Sequence, residues 1–168
     1  MRLRVLFAIF LIAVSLYSCT TFKGVPSKES VNGTFNAFYN QKVFEGFFSI
    51  SNSNLRFDVV NTFGFSVYGI YADDNDVYLK DYQSGNTYED IEVNGEDLSL
   101  YKPLIIYLMK NFDTICKRNT KKNLLVLSCK SFGEKILPTS IILQDDNYRR
   151  LRMNFYNIKI KVNKGAIQ

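Results

Sequence analysis

Hydrophobic and polar residues alternate with a period of two along most of the chain, in short runs separated by Asn, Asp, Gly and Ser. Aromatic and β-branched residues dominate Thr34 to Tyr39, Val43 to Ile50, Leu55 to Asn61, Phe65 to Tyr71, Val77 to Tyr82 and Thr87 to Val93. These runs predict strands of an antiparallel sheet. The connections Ser51-Asn52-Ser53-Asn54, Asp73-Asp74-Asn75-Asp76 and Ser84-Gly85-Asn86 are built of residues that tolerate turn dihedrals, so the strands follow one another as a meander. The rhythm breaks between Asp97 and Phe112, where Leu98, Tyr101, Ile105, Leu108, Met109 and Phe112 take helical spacing. Pro103 falls early enough to occupy a first turn or to divide two short helices. Period-two patterning returns in Asn123 to Ser131, Ile136 to Gln144 and Tyr148 to Val162. In the last, Leu151, Met153 and Phe155 alternate with Arg150, Arg152 and Asn154, giving one buried and one wet face.

The fold class is therefore mainly β, with roughly nine to eleven curved strands and one helical interruption. Leu55, Phe57 and Val59 share one side of their strand, with Arg56 and Asp58 on the other, while Phe65, Val67 and Tyr71 share a face of the next. Consecutive strands thus offer one broad apolar surface. Two interiors fit the pattern: an apolar cavity under a helical lid, or an ordinary filled barrel. In the first, Phe57, Val59, Phe65 and Val67 line the cavity from the sheet, and Leu98, Tyr101, Ile105 and Leu108 line it from the lid.

Arg2 and Arg4 precede the apolar run Val5 to Val14, and Ser15-Leu16-Tyr17-Ser18-Cys19 follows. A basic start, a short apolar stretch and a small residue before the cut describe an export signal. The run is shorter than the roughly 20 residues of a spanning helix. Leu16 and Ser18 ahead of Cys19 resemble the bacterial lipobox, with Tyr17 larger than the usual residue there. The resemblance implies a diacylglyceryl thioether and an acylated amine on Cys19; the alternative is a plain secreted protein with an incidental cysteine. Each buried methylene contributes about 0.8 kcal/mol, so a multiply acylated Cys19 holds a domain on a bilayer without further contact. Residues 1–18 are the expected signal, 19–30 a flexible tether and 31–168 the folded domain.

Composition narrows the chemistry. The chain of 168 residues has no His, which removes Ser-His-Asp and Cys-His catalysis, histidine metal sites and histidine pH switching. Loss of Arg2 and Arg4 with the signal lowers the formal net charge from +5 to +3, so attraction to anionic surfaces is mild and nucleic acid is not an expected partner. Besides Cys19 the chain holds Cys116 and Cys129, flanking Asn119-Thr120-Lys121-Lys122; they form either a disulfide worth about 3 kcal/mol or two buried thiols.

Other motifs read as ordinary structure. Gly64-Phe65-Ser66-Val67-Tyr68-Gly69 has the wrong spacing for a nucleophile elbow and no histidine to activate Ser66. Asp73, Asp74 and Asp76 lack the glycine and terminal glutamate of a calcium loop, so a solvated turn is expected and no metal. Glu89, Asp90 and Glu92 suit the wet face of a strand, with nothing else to mark a sugar cleft. Lys117, Arg118, Lys121 and Lys122 form either a soluble loop tip or a contact for anionic head groups.

Asn61-Thr62-Phe63-Gly64 stands apart, because it sets an aromatic residue in a tight turn. Phe63 either projects toward a membrane surface or folds back on Tyr39 or another core aromatic. The stretch Leu55 to Ser66 resembles the outer-membrane lipoprotein receptor family LolB, in which a strand of the type "R-L-x-L-x-N-P-L-G" leads through a protruding loop; Thr62 replaces the proline and Phe63 the leucine. The likeness extends to Phe44-Glu45-Gly46-Phe47-Phe48-Ser49-Ile50, to Val77-Tyr78-Leu79, Tyr88 and the Leu98 to Leu108 segment, to Leu137-Pro138-Thr139-Ser140-Ile141-Ile142-Leu143, which is similar to "M-P-x-x-M-x-L", and to Arg150-Leu151-Arg152-Met153. The chain departs from the family in its shorter length, its lack of tryptophan and its reduced helical lid.

The resemblance implies a curved, open antiparallel half-barrel with a short helical lid over an apolar cavity for acyl chains. It implies an outer-membrane lipoprotein on the periplasmic face, not an enzyme, acting as a monomer without a cofactor. Its partners would be a LolA-like periplasmic carrier, lipidated cargo proteins and outer-membrane lipid, with Phe63 and Gly64 forming the membrane-insertion loop. Thr20 stands where an aspartate resembles an inner-membrane retention signal, which favours the outer membrane. The rival expectation is a non-transferring envelope lipoprotein that binds a diffusible lipid or serves in envelope assembly.

Overall fold

A computed structural model of the chain describes residues 28–51, 53–117 and 121–163. Nine strands form one antiparallel sheet in the order β6-β5-β4-β3-β2-β1-β11-β10-β9. Their ranges are β1 Lys28–Tyr39, β2 Lys42–Ile50, β3 Leu55–Val60, β4 Ser66–Ala72, β5 Val77–Asp81, β6 Thr87–Tyr88, β9 Leu124–Phe132, β10 Lys135–Gln144 and β11 Arg150–Asn163. The meander β1 to β6 spreads to one side, and the last strand pairs with the first. β6 and β9 are the free edges of an open sheet.

Curvature can be read from aromatic contacts. β3 and β11 lie three strand spacings apart, about 14 Å in a flat sheet, yet the rings of Phe57 and Phe155 stack with centroids 6.4 Å apart. Phe48 on β2 reaches Phe155 across β1 at 5.0 Å. The sheet is therefore curled into a half-barrel whose concave face holds Phe35, Phe48, Phe57 and Phe155.

A short 3₁₀ turn at Ser99–Tyr101 leads into α1, Lys102–Asn111, with Pro103 in its first turn. There the missing N–H has no partner to lose. Leu104, Ile105, Leu108 and Met109 make the buried stripe of α1, and Phe112 just beyond it packs edge-on against Phe155 and tilted against Phe48. Each such side chain contributes about 1.5–3 kcal/mol when removed from water. The helix thus covers the concave face. Between sheet and helix a small hairpin, β7 Glu92–Val93 and β8 Glu96–Asp97, turns through Asn94 and Gly95, both with positive φ. Lys42 clips it to the β1–β2 turn by pairing with Glu96 at 2.9 Å and donating to the Asn94 carbonyl at 2.8 Å.

Phe65 and Tyr148, expected to open strands, lie just before β4 and β11, and two further differences bear on the tether and on the small hairpin. Lys28 to Ser30, expected in the tether, already pair with Lys161 to Asn163 and extend β1. The single strand expected over Thr87 to Val93 is split, because Ile91 and Val93 turn fully into the core. Ser99 Oγ and the Leu98 N–H hold the Ile91 backbone there. The signal over residues 1–18 and the tether up to residue 27 lie outside the described residues.

Candidate functional site

The interior under α1 is apolar and nearly full. Phe57, Val59, Leu98 and Ile105 line a residual void of about 30 Å³ with Phe35 and Met153 among the others, room for a water molecule or two. Drug-sized ligands occupy roughly 300–1,000 Å³. Tyr101 and Leu108 are wholly buried in the same core without lining that void. The Tyr101 hydroxyl donates to the Arg149 carbonyl at 3.0 Å, and burial pushes its pKa up.

Neither Phe65 nor Val67 lines that void. The β3–β4 register shifts between Val59 and Val60, so that Val59 pairs with Tyr68 but Val60 with Ser66. Beyond this slip Tyr68, Ile70 and Ala72 pair with the inward residues of β3 and leave Gly69 and Tyr71 on the convex face, while Val67, at the slip itself, is half-buried against the core. Phe65 precedes β4 and belongs to the turn.

That turn is ordered. Asn61 Oδ1 accepts from the N–H groups of Phe63 and Phe65, each at 3.0 Å. The Gly64 N–H donates to the Asn61 carbonyl, and the Asn61 N–H donates to that of Phe65, both at 2.9 Å. Gly64 takes φ +82°, a conformation a side chain would strain. Held this way, Phe63 is 83% and Phe65 69% exposed. Phe63 does not fold back on Tyr39, which is buried against Tyr101. Phe65 was missed as a second projecting ring because its run reads as the start of a strand.

Pairing registers place this turn on one rim of the half-barrel. The β1–β2, β3–β4, β5–β6 and β10–β11 connections all lie at that end, as does the approach to β9. At the opposite end, Asp73 Oδ1 accepts from the Asn75 and Asp76 N–H groups, which holds its pKa down. Asp74 and Asp76 face Lys110 and Lys102 of α1. The three aspartates thus cap a turn and steady the helix.

A second constellation, not singled out from the sequence, occupies the convex face. Arg56 Nε bonds Asp58 Oδ1 at 2.9 Å, the Tyr82 hydroxyl donates to the same oxygen at 2.6 Å, and the Tyr71 and Tyr82 hydroxyls are 2.7 Å apart. Burial and the Asp58 carboxylate raise the Tyr82 pKa, so the phenol stays protonated. Gly69 makes room, because a Cβ there would come within 2.5 Å of the Tyr82 hydroxyl.

Cys116 and Cys129 are disulfide-bonded with Cα atoms 6.3 Å apart, joining the segment after α1 to edge strand β9. Cys19 and Arg118 lie outside the described residues. Among the described residues no group of His, Cys, Asp or Glu is gathered to hold a metal, and no helix is long and apolar enough to cross a membrane. No known protein family matches the chain, and no curated protein sequence matches it.

Proposed function

We propose that this chain is an outer-membrane lipoprotein of the LolB type, anchored by acyl chains on Cys19, which accepts lipidated proteins from a LolA-like periplasmic carrier and delivers them to the outer membrane. The observation that carries the reading is the ordered turn that keeps Phe63 and Phe65 in water at the rim. Burying one Phe side chain is worth about 1.5–3 kcal/mol, so two exposed rings on a hydrogen-bonded scaffold point to burial in another bound state. The helix-covered, largely apolar concave face supplies the second requirement. Acyl chains reach it when α1 moves outward, and transfer needs only small differences in affinity between carrier, receptor and bilayer.

A rival reading, a non-transferring envelope lipoprotein, draws on the void of about 30 Å³, which in this closed form admits no acyl chain. Transfer to liposomes separates the two. Phe63→Glu is expected to keep the melting temperature and cargo uptake while delivery falls, because a carboxylate resists entering the acyl region. Normal delivery by a stable Phe63→Glu protein refutes the role of the loop. General lipoprotein mislocalisation after depletion is expected for a transfer factor, and its absence favours the rival.

A further inference from the structure

We infer that the rim carrying the β3–β4 turn is a docking surface for an anionic phospholipid bilayer, with Tyr148 as an additional aromatic anchor and Arg150, Arg152, Lys121 and Lys122 as its phosphate-facing cations. The inference deepens the membrane-delivery reading and rests on it for the orientation of the molecule.

The β10–β11 turn repeats the design of the β3–β4 turn with different residues. Asp145 is buried, and its Oδ1 accepts from the N–H groups of Asn147 and Arg149 at 2.9 and 2.7 Å. Its Oδ2 accepts from Arg149 Nε at 2.6 Å. The Tyr148 N–H donates to the Asp145 carbonyl, and Tyr148 takes φ +62°, a conformation non-glycine residues rarely adopt. The turn thus holds an aromatic side chain 78% exposed on the same rim as Phe63 and Phe65. Tyrosine, with an apolar ring and a polar tip, suits the headgroup boundary.

Between the two turns the convex face carries a matching surface. Val43, Phe38, Arg152, Ile142 and Leu125 are lateral neighbours across β2, β1, β11, β10 and β9. Val43, Phe38 and Leu125 are all exposed. At the β9 end, Lys121, Lys122, Gln144 and Arg150 surround a groove of about 350 Å³ floored by Leu125 and Ile142. Among the described residues Lys121, Lys122, Arg150 and Arg152 form no ion pair, although Lys121 Nζ lies over the Tyr107 ring at 4.7 Å and Arg150 Nε donates to Gln144 Oε1 at 3.2 Å. The carboxylates at this rim are largely engaged: Asp145 with Arg149, Glu96 with Lys42, and Asp81 with the N–H groups of Gln83 and Ser84. Asp146 accepts from Asn123, and Glu45 sits beside Asn36, one step back from the row. Unpaired cations alone would suit any phosphate. Their mixture with exposed apolar side chains and three projecting aromatic rings suits a lipid surface, where both kinds of group are satisfied at adjacent depths.

The chain has no tryptophan, so Tyr148→Trp in the full chain carrying Cys19→Ala is a single fluorescent reporter. With vesicles of phosphatidylcholine plus phosphatidylglycerol its emission is expected to shift to the blue, to be quenched by brominated lipid and to recover in high salt. Arg150→Glu with Arg152→Glu should weaken vesicle affinity roughly tenfold or more without changing the melting temperature. No shift in a folded reporter overturns the proposal. So does a shift equally strong on pure phosphatidylcholine and indifferent to charge reversal, which the N-terminal apolar segment would produce. Competition by inorganic phosphate beyond that of sodium chloride at equal ionic strength marks a free-anion site, and a vesicle-independent shift with protein concentration marks self-association; either overturns it. Docking by the reporter without cargo transfer by the wild-type chain refutes the transfer reading alone, whereas transfer without docking refutes this surface alone.

Discussion

Single residues decide how the two faces of the sheet are used. Gly69 lets Tyr82 lie across β4 to reach Asp58, and an added methyl meets side-chain atoms of both Tyr82 and Tyr71. Gly69→Ala is expected to destabilise the protein by roughly 1–3 kcal/mol, the usual range for overpacking. In a Tyr82→Ala background most of that loss should vanish, and an equal loss in both backgrounds, measured by denaturant melts, would show that Tyr82 is not the obstacle. Asp145 predicts a pH effect. Burial opposes its ionisation, but Arg149 and the backbone N–H groups outweigh burial and hold its pKa below the usual carboxylate range. The folded state then binds fewer protons, so its contribution is complete above about pH 4 and fades as pH falls through the lowered value. Amide exchange at Tyr148 and Arg149 should accelerate in that acid window, and Asp145→Asn should remove the pH dependence. Identical profiles for wild type and variant would contradict the assignment.

At the level of elements, the lid is attached unequally. Beyond its C-terminal end the Cys116–Cys129 disulfide joins it to β9, whereas Lys102–Asp76 and Lys110–Asp74 are ion pairs at 3.5 and 3.2 Å near solvent. Such pairs contribute about 0–1 kcal/mol. The disulfide closes a short loop and is expected to contribute about 3 kcal/mol. Cys116→Ser with Cys129→Ser should therefore lower the melting temperature by several degrees while far-UV circular dichroism is unchanged. An unshifted transition would mean that the bond constrains nothing in the unfolded chain.

For the whole molecule, the closed interior and the carrier reading meet in one measurement. If acyl chains enter by displacement of α1, an environment-sensitive apolar dye should bind slowly, at a rate set by opening rather than by dye concentration. Lys102→Ala with Lys110→Ala should raise that rate while changing stability by less than about 1 kcal/mol. Saturation of the dye by lipoprotein acyl chains would place both in one cavity. A protein that never takes up dye, even with these pairs removed, has a filled core and no carrier function.

The period-two runs, the helical interruption and the turn residues were legible because alternation reports which side chains leave water, and turn chemistry reports where the chain reverses. These local rules determined the antiparallel meander, the place of α1 and the unusual position of Phe63. They failed at Phe65, which the turn exposes, and at Tyr71, which a one-residue register slip sets on the opposite face with no local signal to announce it. Cavity volume was also beyond them, since it depends on how closely α1 approaches a curled sheet, and so was the union of Cys116 with Cys129. The rim itself, which gathers Phe63, Tyr148, Arg152 and Leu125, exists only because β11 returns to pair with β1. Alternation records burial strand by strand; which distant strands become neighbours is decided by the packing of the whole chain.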